Sequence, residues 1–305
     1  MTDQPHGFRS RLPLVVAVLL VLLAAAARWW PVDPVVRGGG TLLVLMPRDD
    51  ARRETMLTEF AQLLGQAVSL DLRLALAGDR EEFQAGLDEA LLVLCPDGPA
   101  IALPTGAWQP LATGRRRAPW NLRPRPVLVS RLEADTTSAP WRTAPRRTVF
   151  GDSLSLVCLA PVIAEAGTPL PSGVTWGDDP YDHGGVLVAL ANGAFDHAVV
   201  RQFDAEAALA TGRLPAESWR MRRLGAPVPD IMVMVSRRLP TATRRELQLT
   251  LSVLGREMDG PSEGAAGLVA GLGLLGLDGF NFTPMLGTDV ERARGRYGAG
   301  WPPSH

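Results

Sequence analysis

The stretch that decides the fold is TVFGDSLSLVCLAPVIAEAG at residues 148–167. A short apolar run meets a Gly-Asp-Ser turn, and a segment rich in small apolar residues follows. This order predicts a strand that leads through a polar loop into a helix. The first N–H groups of such a helix lack intrahelical partners and the helix dipole adds positive charge, so Ser153 and Ser155 are candidates to hold an anion. The same residues also fit an ordinary N-cap.

The composition is typical of a folded protein with little net charge and therefore no strong overall electrostatic field. The 305 residues are 46% hydrophobic, which is enough for a sizeable core and for two lobes. The net charge is −1 with the two signs interspersed, which excludes nucleic acid as a partner.

Two cysteines, Cys95 and Cys158, lack the close spacing of a zinc or redox motif. We interpret them as small buried hydrophobic side chains. A disulfide between them in an oxidising compartment stays open at this point.

The N-terminal region carries an uninterrupted apolar run at 12–27, with arginines before it and Arg28-Trp29-Trp30 after it. Such a segment enters or crosses a membrane, although it is shorter than the roughly 20 residues of a full span. Small residues at its end suit signal cleavage. We therefore predict that residues 1–30 are a signal peptide or a membrane anchor. In both cases the body is expected in the periplasm or another extracytoplasmic space, with anchoring in the inner membrane as the second alternative.

Helical and strand patterns alternate along the rest of the chain, which predicts βαβ units and a largely parallel sheet. Residues 31–40 form a Pro/Gly linker, and 104–125 are predicted to be loop with at most one short helical turn. The predicted strands are 41–46, 68–76, 91–94, 126–131, 148–150, 197–200, 219–224 and 231–236. The predicted helices are 53–64, 80–90, 184–192, 203–211 and 243–258.

Ligands bind outside the carboxyl ends of parallel strands, and this rule selects the candidate polar groups. They are Asp49, Asp50, Asp97, Ser153, Ser155, His183 and Asp230. The chain has no G-x-S-x-G elbow, P-loop lysine, H-E-x-x-H or G-x-G-x-x-G after a strand. A hydrolase or transferase using His183 and Asp230 is disfavoured because no nucleophile and base stand together. We predict a protein that is not an enzyme, with no catalytic residue, metal site or cofactor.

Four segments resemble the phosphate/phosphite/phosphonate-type solute-binding proteins of ABC transporters. They are FGDSLSLVCLAPVIAEAG at 150–167, YDHGGVLVALANGAFDHAVV at 181–200, APVPDIMVMVSRRLP at 226–240 and GLDGFNFTP at 276–284. The resemblance implies an α/β, two-lobed periplasmic-binding-protein fold of type II, a Venus-flytrap with the ligand between its lobes. Lobe 1 would comprise 41–125 and 230–300, and lobe 2 would comprise 126–229.

The resemblance also implies a set of ligand-binding residues. Ser155, with Ser153 beside it, would be the hydroxyl of the anion loop, His183 the ligand-side histidine and Asp230 the acid at the hinge. Phe83 would be the aromatic contact from the first lobe. Asp49, after the first strand, completes the predicted set.

The anion loop departs from the family pattern. Family members show Ser-Thr-Ser where this chain has Leu154-Ser155-Leu156, so two of three hydroxyls are missing. Each charge-assisted hydrogen bond is worth about 1.5–3 kcal/mol, and losing two lowers affinity by roughly 10²–10⁴. The ligand is therefore expected to be altered and less charged than a phosphonate.

The sequence thus predicts an exported or membrane-tethered solute-binding-like protein. Its expected partners are a small-molecule ligand, with an oxyanion as one candidate class, and an ABC permease. The alternative is a membrane-anchored sensory or accessory binding module that acts with a signalling or membrane complex. Residues 12–30 would contact the membrane.

Overall fold

The computed structural model describes residues 39–46, 51–116, 124–134, 139–166, 172–179, 183–229, 231–253, 280–285 and 287–297, all within one compact unit. The predicted signal or anchor segment at 1–30 lies outside them. No helix among the described residues is long and apolar enough to cross a bilayer.

The described strands form two mixed sheets. The first has the order β11-β4-β10-β3-β1-β2, and the second has the order β7-β6-β8-β5-β9. The strands are β1 (Gly39–Leu45), β2 (Asp71–Ala77), β3 (Ala90–Cys95), β4 (Trp108–Arg116), β5 (Pro126–Arg131), β6 (Thr148–Phe150), β7 (Thr175–Trp176), β8 (His197–Arg201), β9 (Trp219–Arg223), β10 (Met232–Ser236) and β11 (Phe280–Pro284).

Helices connect the strands in both sheets. They are α1 (Ala51–Ala67), α2 (Arg80–Gly86), α3 (Asp97–Ala102), α4 (Pro140–Thr143), α5 (Leu156–Ala166), α6 (Gly184–Ala191), α7 (Gln202–Ala210), α8 (Thr241–Val253) and α9 (Gly287–Tyr297), with a 3₁₀ turn at Pro145–Arg147. The strand–turn–helix unit predicted at 148–167 is confirmed as β6 and α5. The short helix α3 was not predicted.

The expectation of a largely parallel sheet holds for only part of the structure. In the first sheet β1 pairs in parallel with β2 and β3, whereas β10 and β11 pair antiparallel with their neighbours. In the second sheet β6 is parallel to β7 and β8, and β5 is antiparallel to β8 and β9. The alternation of helices and strands along the chain does not indicate that β10, which follows the strands of the second sheet in sequence, pairs antiparallel within the first sheet.

The prediction of a loop at 104–125 is wrong for β4, an inner strand between β10 and β11. Pro110 and Gly114 conceal the strand, because proline is ordinarily confined to edges and bulges. A bulge is present here: Val233 pairs with Ala112 while Met234 pairs with Pro110, so Leu111 is the extra residue. Its carbonyl accepts the backbone N–H of Met285 instead.

The predicted end of the first helix at residue 64 is also wrong. The helix continues to Ala67, and the residue with left-handed backbone is Ser69, at φ 55°. Gly65 is needed for a close approach: a β carbon there would lie 2.4 Å from the carbonyl oxygen of Leu70. The backbone carbonyl of Gly65 also accepts a hydrogen bond from the N–H of Leu70 at 2.8 Å.

One hydrophobic cluster includes residues from both sheets and their helices. It joins Val93 and Cys95 of β3 to Phe150 of β6 and to Leu156 and Val157 of α5. Phe150, at the end of β6, stacks on Trp176 with ring centroids 4.6 Å apart and also contacts Trp141. The turn after β6 is therefore held by a packed apolar base.

Candidate functional site

The turn between β6 and α5 is organised by Asp152, whose side chain is buried. Its Oδ1 accepts hydrogen bonds from the N–H groups of Leu154 at 2.6 Å and Ser155 at 2.5 Å. The carbonyl of Ser155 then accepts the first bonds of the helix, from Cys158 and Leu159. Asp152 thus holds the turn directly before the helix by accepting the N–H groups of Leu154 and Ser155.

His183, directly before α6, is fully buried and uses both ring nitrogens within the protein. Nδ1 accepts the backbone N–H of Arg201 at 3.1 Å, so Nε2 carries the proton and donates to Oδ2 of Asp152 at 2.9 Å. Gly151 packs closely against the imidazole ring of His183. A β carbon on residue 151 would lie 2.5 Å from the nearest ring atoms. The imidazole therefore ties the β6 turn to the junction of β8 and α7.

Charged groups surround this histidine. The buried guanidinium of Arg201 lies 3.8 Å from Oδ2 of Asp204, and Nδ1 of His183 lies 3.9 Å from the same oxygen. Burial alone raises the pKa of Asp152, but the hydrogen bond from His183 and the charge of Arg201 outweigh burial. The pKa of this carboxyl is therefore lowered, and Asp152 is ionised at neutral pH.

Cys158 completes the cluster, but its protonated thiol suits neither a nucleophile nor a metal ligand. Its Sγ accepts the N–H of Asp152 at 3.4 Å and faces the carbonyl of Val199 at 3.5 Å. Burial raises the pKa of this thiol, which stays protonated. Asp152, Cys158 and His183 bring ligand-type atoms within 4.8 Å of one another. A metal would require a thiolate and a lone pair on the imidazole, and both imidazole nitrogens are engaged.

The disulfide left open by the sequence does not form, because Cys95 and Cys158 are both free thiols. Both side chains are fully buried in the hydrophobic cluster that includes both sheets. Burial also raises the pKa of Cys95. The interpretation of the pair as small buried hydrophobic residues is confirmed.

A second carboxylate reaches the start of α5 from the other sheet. Asp97, the first residue of α3 after β3, is fully buried, and its Oδ1 accepts the N–H of Leu156 at 2.8 Å. The N–H groups of residues 154, 155 and 156 are thus all bonded to carboxylates of the chain itself. The first N–H group of α5 and the two N–H groups directly before the helix are therefore bonded within the chain.

The structure brings three of the predicted ligand residues to this turn. Ser153 is half-buried, while Ser155 and His183 are buried. The Ser155 hydroxyl makes no hydrogen bond of good geometry with another described residue, yet lies close enough to Asp152 to help lower the pKa of that carboxyl. Phe83 is fully buried in the same hydrophobic cluster as Leu156.

Two predicted residues, Asp49 and Asp230, lie outside the described residues. Two surface pockets are lined by described residues: one of about 480 Å³ between α1 and β2, and one of about 580 Å³ around the end of α2 and the start of β4. Neither is lined by a residue of the 151–155 turn.

Sequence reasoning missed Asp152 and Arg201 as members of the site. In the sequence, Asp152 was recognised only as part of a turn. An aspartate whose side chain accepts the N–H groups two and three residues later, here those of Leu154 and Ser155, is typical of an Asx turn, and this spacing could have identified it. Arg201 directly follows the strand predicted at 197–200, and a buried cation at such a position is rare without a carboxylate nearby. Asp97 was selected by its place after a strand, but nothing in the sequence links it to residue 156.

No protein-family model matches the sequence, and no curated protein of similar sequence was found. Solved structures do match. XAC2383 of Xanthomonas citri bound to chloride ion gives a TM-score of 0.60 at 17% identity, over 85% of this chain and 96% of that one.

Two further structures match over most of the chain. PhnD1 of Prochlorococcus marinus in complex with methylphosphonate gives a TM-score of 0.58 at 13% identity, over 85% of this chain and 97% of that one. A binding protein component of an ABC phosphonate transporter of Pseudomonas aeruginosa gives 0.53 at 12% identity, over 85% of each chain. Likeness at these identities establishes the fold alone.

Proposed function

Since the chain has the α/β fold of type II periplasmic binding proteins, we propose that it is an extracytoplasmic solute-binding-like protein. The two sheets with their helices would be the two lobes, with 41–125 and 230–300 in lobe 1 and 126–229 in lobe 2. The observation that carries the proposal is the contact of Asp97 with the start of α5, because it joins an element after the first sheet to an element after the second at the carboxyl ends of their strands.

Binding rather than catalysis is the function class that this geometry supports. In the part of the chain that the structure describes, the buried Cys158, His183 and Asp152 do not form a nucleophile–base pair, because the imidazole proton goes to Asp152. Among the matching structures, PhnD1 holds methylphosphonate and the P. aeruginosa protein is a binding component of a transporter.

The ligand side is proposed to include Ser153, Ser155, Phe83, Asp49 and Asp230. The role of His183 is proposed to be positioning, since both of its nitrogens are used to hold the turn. Leu154 and Leu156 replace two hydroxyls of the family pattern, and Leu156 is fully buried. These replacements support a ligand that is less charged than a phosphonate.

The ligand proposal is tested by thermal unfolding of the purified full chain against a panel of phosphate, methylphosphonate, sulfonates and small uncharged solutes. We expect a stabilising member among the uncharged solutes and no shift with phosphate or methylphosphonate. A ligand at 100 times its dissociation constant stabilises the fold by about 2.7 kcal/mol. A strong shift with methylphosphonate would refute the argument from the two leucines.

The second candidate is a sensory or accessory module held at the membrane by residues 12–30. An uncleaved apolar run at 12–27 would favour this candidate, because it would hold the binding domain at the membrane. N-terminal sequencing of the exported protein separates the two. We expect an intact N-terminus for an anchored module, and a mature chain that begins near Arg28 would eliminate it.

A further inference from the structure

We propose that the pocket of about 580 Å³ at the end of α2 and the start of β4 binds a small organic monoanion, whose carboxylate pairs with Arg237 and Arg238 and whose body is apolar. The inference goes beyond the proposed function and does not depend on it. None of the described residues that line this pocket belongs to the predicted set of ligand residues.

The pocket lies at the opposite end of β3 from Asp97. It is lined by residues at the end of α2, residues before β4 and the turn at 236–238 that follows β10. Because β10 is antiparallel to β3, the end of β10 lies beside the start of β3 at Ala90. The other end of β3 is roughly 17 Å away along the strand. The pocket is therefore separate from the turn that carries Ser155 and His183.

Arg238 holds a positive charge at the pocket. Its Nη1 donates to the carbonyl of Asp88 at 2.7 Å, its Nη2 to the carbonyl of Ala90, and its Nε to Oγ of Ser236 at 3.0 Å. All three acceptors are neutral, and no carboxylate of a described residue forms an ion pair with this guanidinium. The three bonds fix the guanidinium in place and leave its charge without a counter-ion.

Arg237 offers hydrogen bonds that the protein does not use. Its Nε donates to the carbonyl of Thr105 at 2.8 Å, and its backbone N–H donates to the carbonyl of Ala107 at 2.8 Å. These bonds anchor the side chain, whereas its Nη1 and Nη2 have no hydrogen-bond partner among the described residues. The two Nη groups of a guanidinium match the two oxygens of a carboxylate.

Two side chains that are more than nine-tenths buried add donors to the same pocket. Ser236 is 2% exposed, and its Oγ already accepts the backbone N–H and the Nε of Arg238, so its hydroxyl proton remains to be donated. Trp108 is 6% exposed, and its indole N–H has no hydrogen-bond partner within the described part of the chain. Buried polar groups ordinarily have a partner, and a bound acceptor would supply it.

The charges and walls of the pocket indicate the class of ligand. Its described lining has two guanidinium groups and one carboxylate, that of Asp88, so a single negative charge on the ligand is balanced and a second is not. Leu87, Pro104 and Ala107 add apolar surface, which suits a hydrocarbon or aromatic body. Inorganic phosphate would leave this apolar surface exposed to water.

Isothermal titration of the purified full chain with benzoate tests the inference. We expect a dissociation constant in the millimolar range or tighter. Benzyl alcohol has the ring without the charge, inorganic phosphate has charge without the ring, and each should bind roughly tenfold or more weakly. Absence of benzoate binding well above the millimolar range would overturn the inference. Equal binding of benzyl alcohol would overturn anion recognition, and equal binding of phosphate would overturn the organic class.

Arg237→Gln locates the binding. Losing the paired, charged donors should weaken benzoate binding by roughly 10–100-fold. The matched control is Arg245→Gln, which removes the same charge from an exposed position of α8 outside the described lining of the pocket. Unchanged affinity in Arg237→Gln, or an equal loss in both variants, would mean that benzoate binds elsewhere and would overturn the inference.

Gly106→Leu keeps the inference falsifiable if Arg237→Gln does not fold. Gly106 lines the pocket, and a β carbon there meets nothing within 4 Å, so a leucine takes up pocket volume without changing a charge. Benzoate affinity should fall roughly tenfold or more. Gly185→Leu adds the same side chain at an exposed position of α6 and serves as the control. Equal affinity in the two leucine variants would overturn the inference.

These outcomes are distinguishable from failure of the proposed function. Benzoate binding that depends on Arg237, in a chain that responds to no member of the solute panel, would support this pocket and refute solute binding at the carboxyl ends of the strands. A response to the panel without benzoate binding would refute this pocket and leave the proposed function standing.

Discussion

Replacing Asp152 with alanine is expected to lower the free energy of unfolding by about 3–5 kcal/mol, the range for breaking a buried charged pair. The substitution leaves the N–H groups of Leu154 and Ser155 and the Nε2–H of His183 without their acceptor. It also removes a negative charge near the buried Arg201. Chemical denaturation followed by circular dichroism measures the loss.

The matched control for Asp152 is Asp178→Ala, which removes an exposed aspartate from the loop after β7. A surface change of this kind is expected within about 0.5 kcal/mol of the wild type. An Asp152→Ala loss no greater than that of the control would contradict the network described above.

The asparagine variant adds a dependence on pH. Its amide N–H₂ would face the Nε2–H of His183, a donor against a donor, so Asp152→Asn is also destabilising. Because the pKa of Asp152 is lowered by folding, its stabilisation is present above the unfolded value near 3.8 and is lost as the pH falls through the folded value. The stability difference between wild type and asparagine variant should therefore be constant above about pH 5 and shrink below about pH 4. A difference that grows on acidification would contradict this assignment.

Gly151→Ala is expected to cost about 1–3 kcal/mol through overpacking. The new β carbon would lie 2.5 Å from Cε1 and Nδ1 of His183. The ring cannot move aside without losing its bonds to Asp152 and to the Arg201 N–H. The same denaturation experiment applies, and hydrogen exchange at the Arg201 amide reports whether the imidazole has moved.

Gly185→Ala is the matched control for crowding. Gly185 lies in α6, is exposed, and a β carbon there meets nothing within 4 Å. Alanine is the better helix former by about 0.8–1 kcal/mol, so this variant should be as stable as the wild type or more stable. If both glycine variants lost stability alike, contact with His183 would not be the cause.

The second sheet was largely predictable because its elements follow one another along the chain. The periodic pattern located β5, β8 and α6, and the predicted helix at 184–192 ends within one residue of α6. The first sheet was harder, because β10 inserts between β3 and β4 and pairs with both. The local pattern of apolar and polar residues does not indicate that β10 pairs with β3 and β4.

The candidate site was predictable as a location but not as a set of bonds. The helix starts that carry Ser155 and His183 could be read from the sequence, whereas their roles as ligand residues stay predictions. The bonds from Asp97 to Leu156 and from His183 to the Arg201 N–H join segments distant in sequence. Their existence depends on the packing of whole elements, which no single stretch specifies.

The placement of β10 has a consequence for how the chain is made. Until residues 232–236 leave the ribosome, β3 and β4 lack the strand that joins them, and each presents unpaired backbone groups. Everything from β5 to β9 is synthesised in that interval. A chain truncated before Met232 would therefore lack the strand that pairs with both β3 and β4, and unpaired strand edges of this kind promote aggregation.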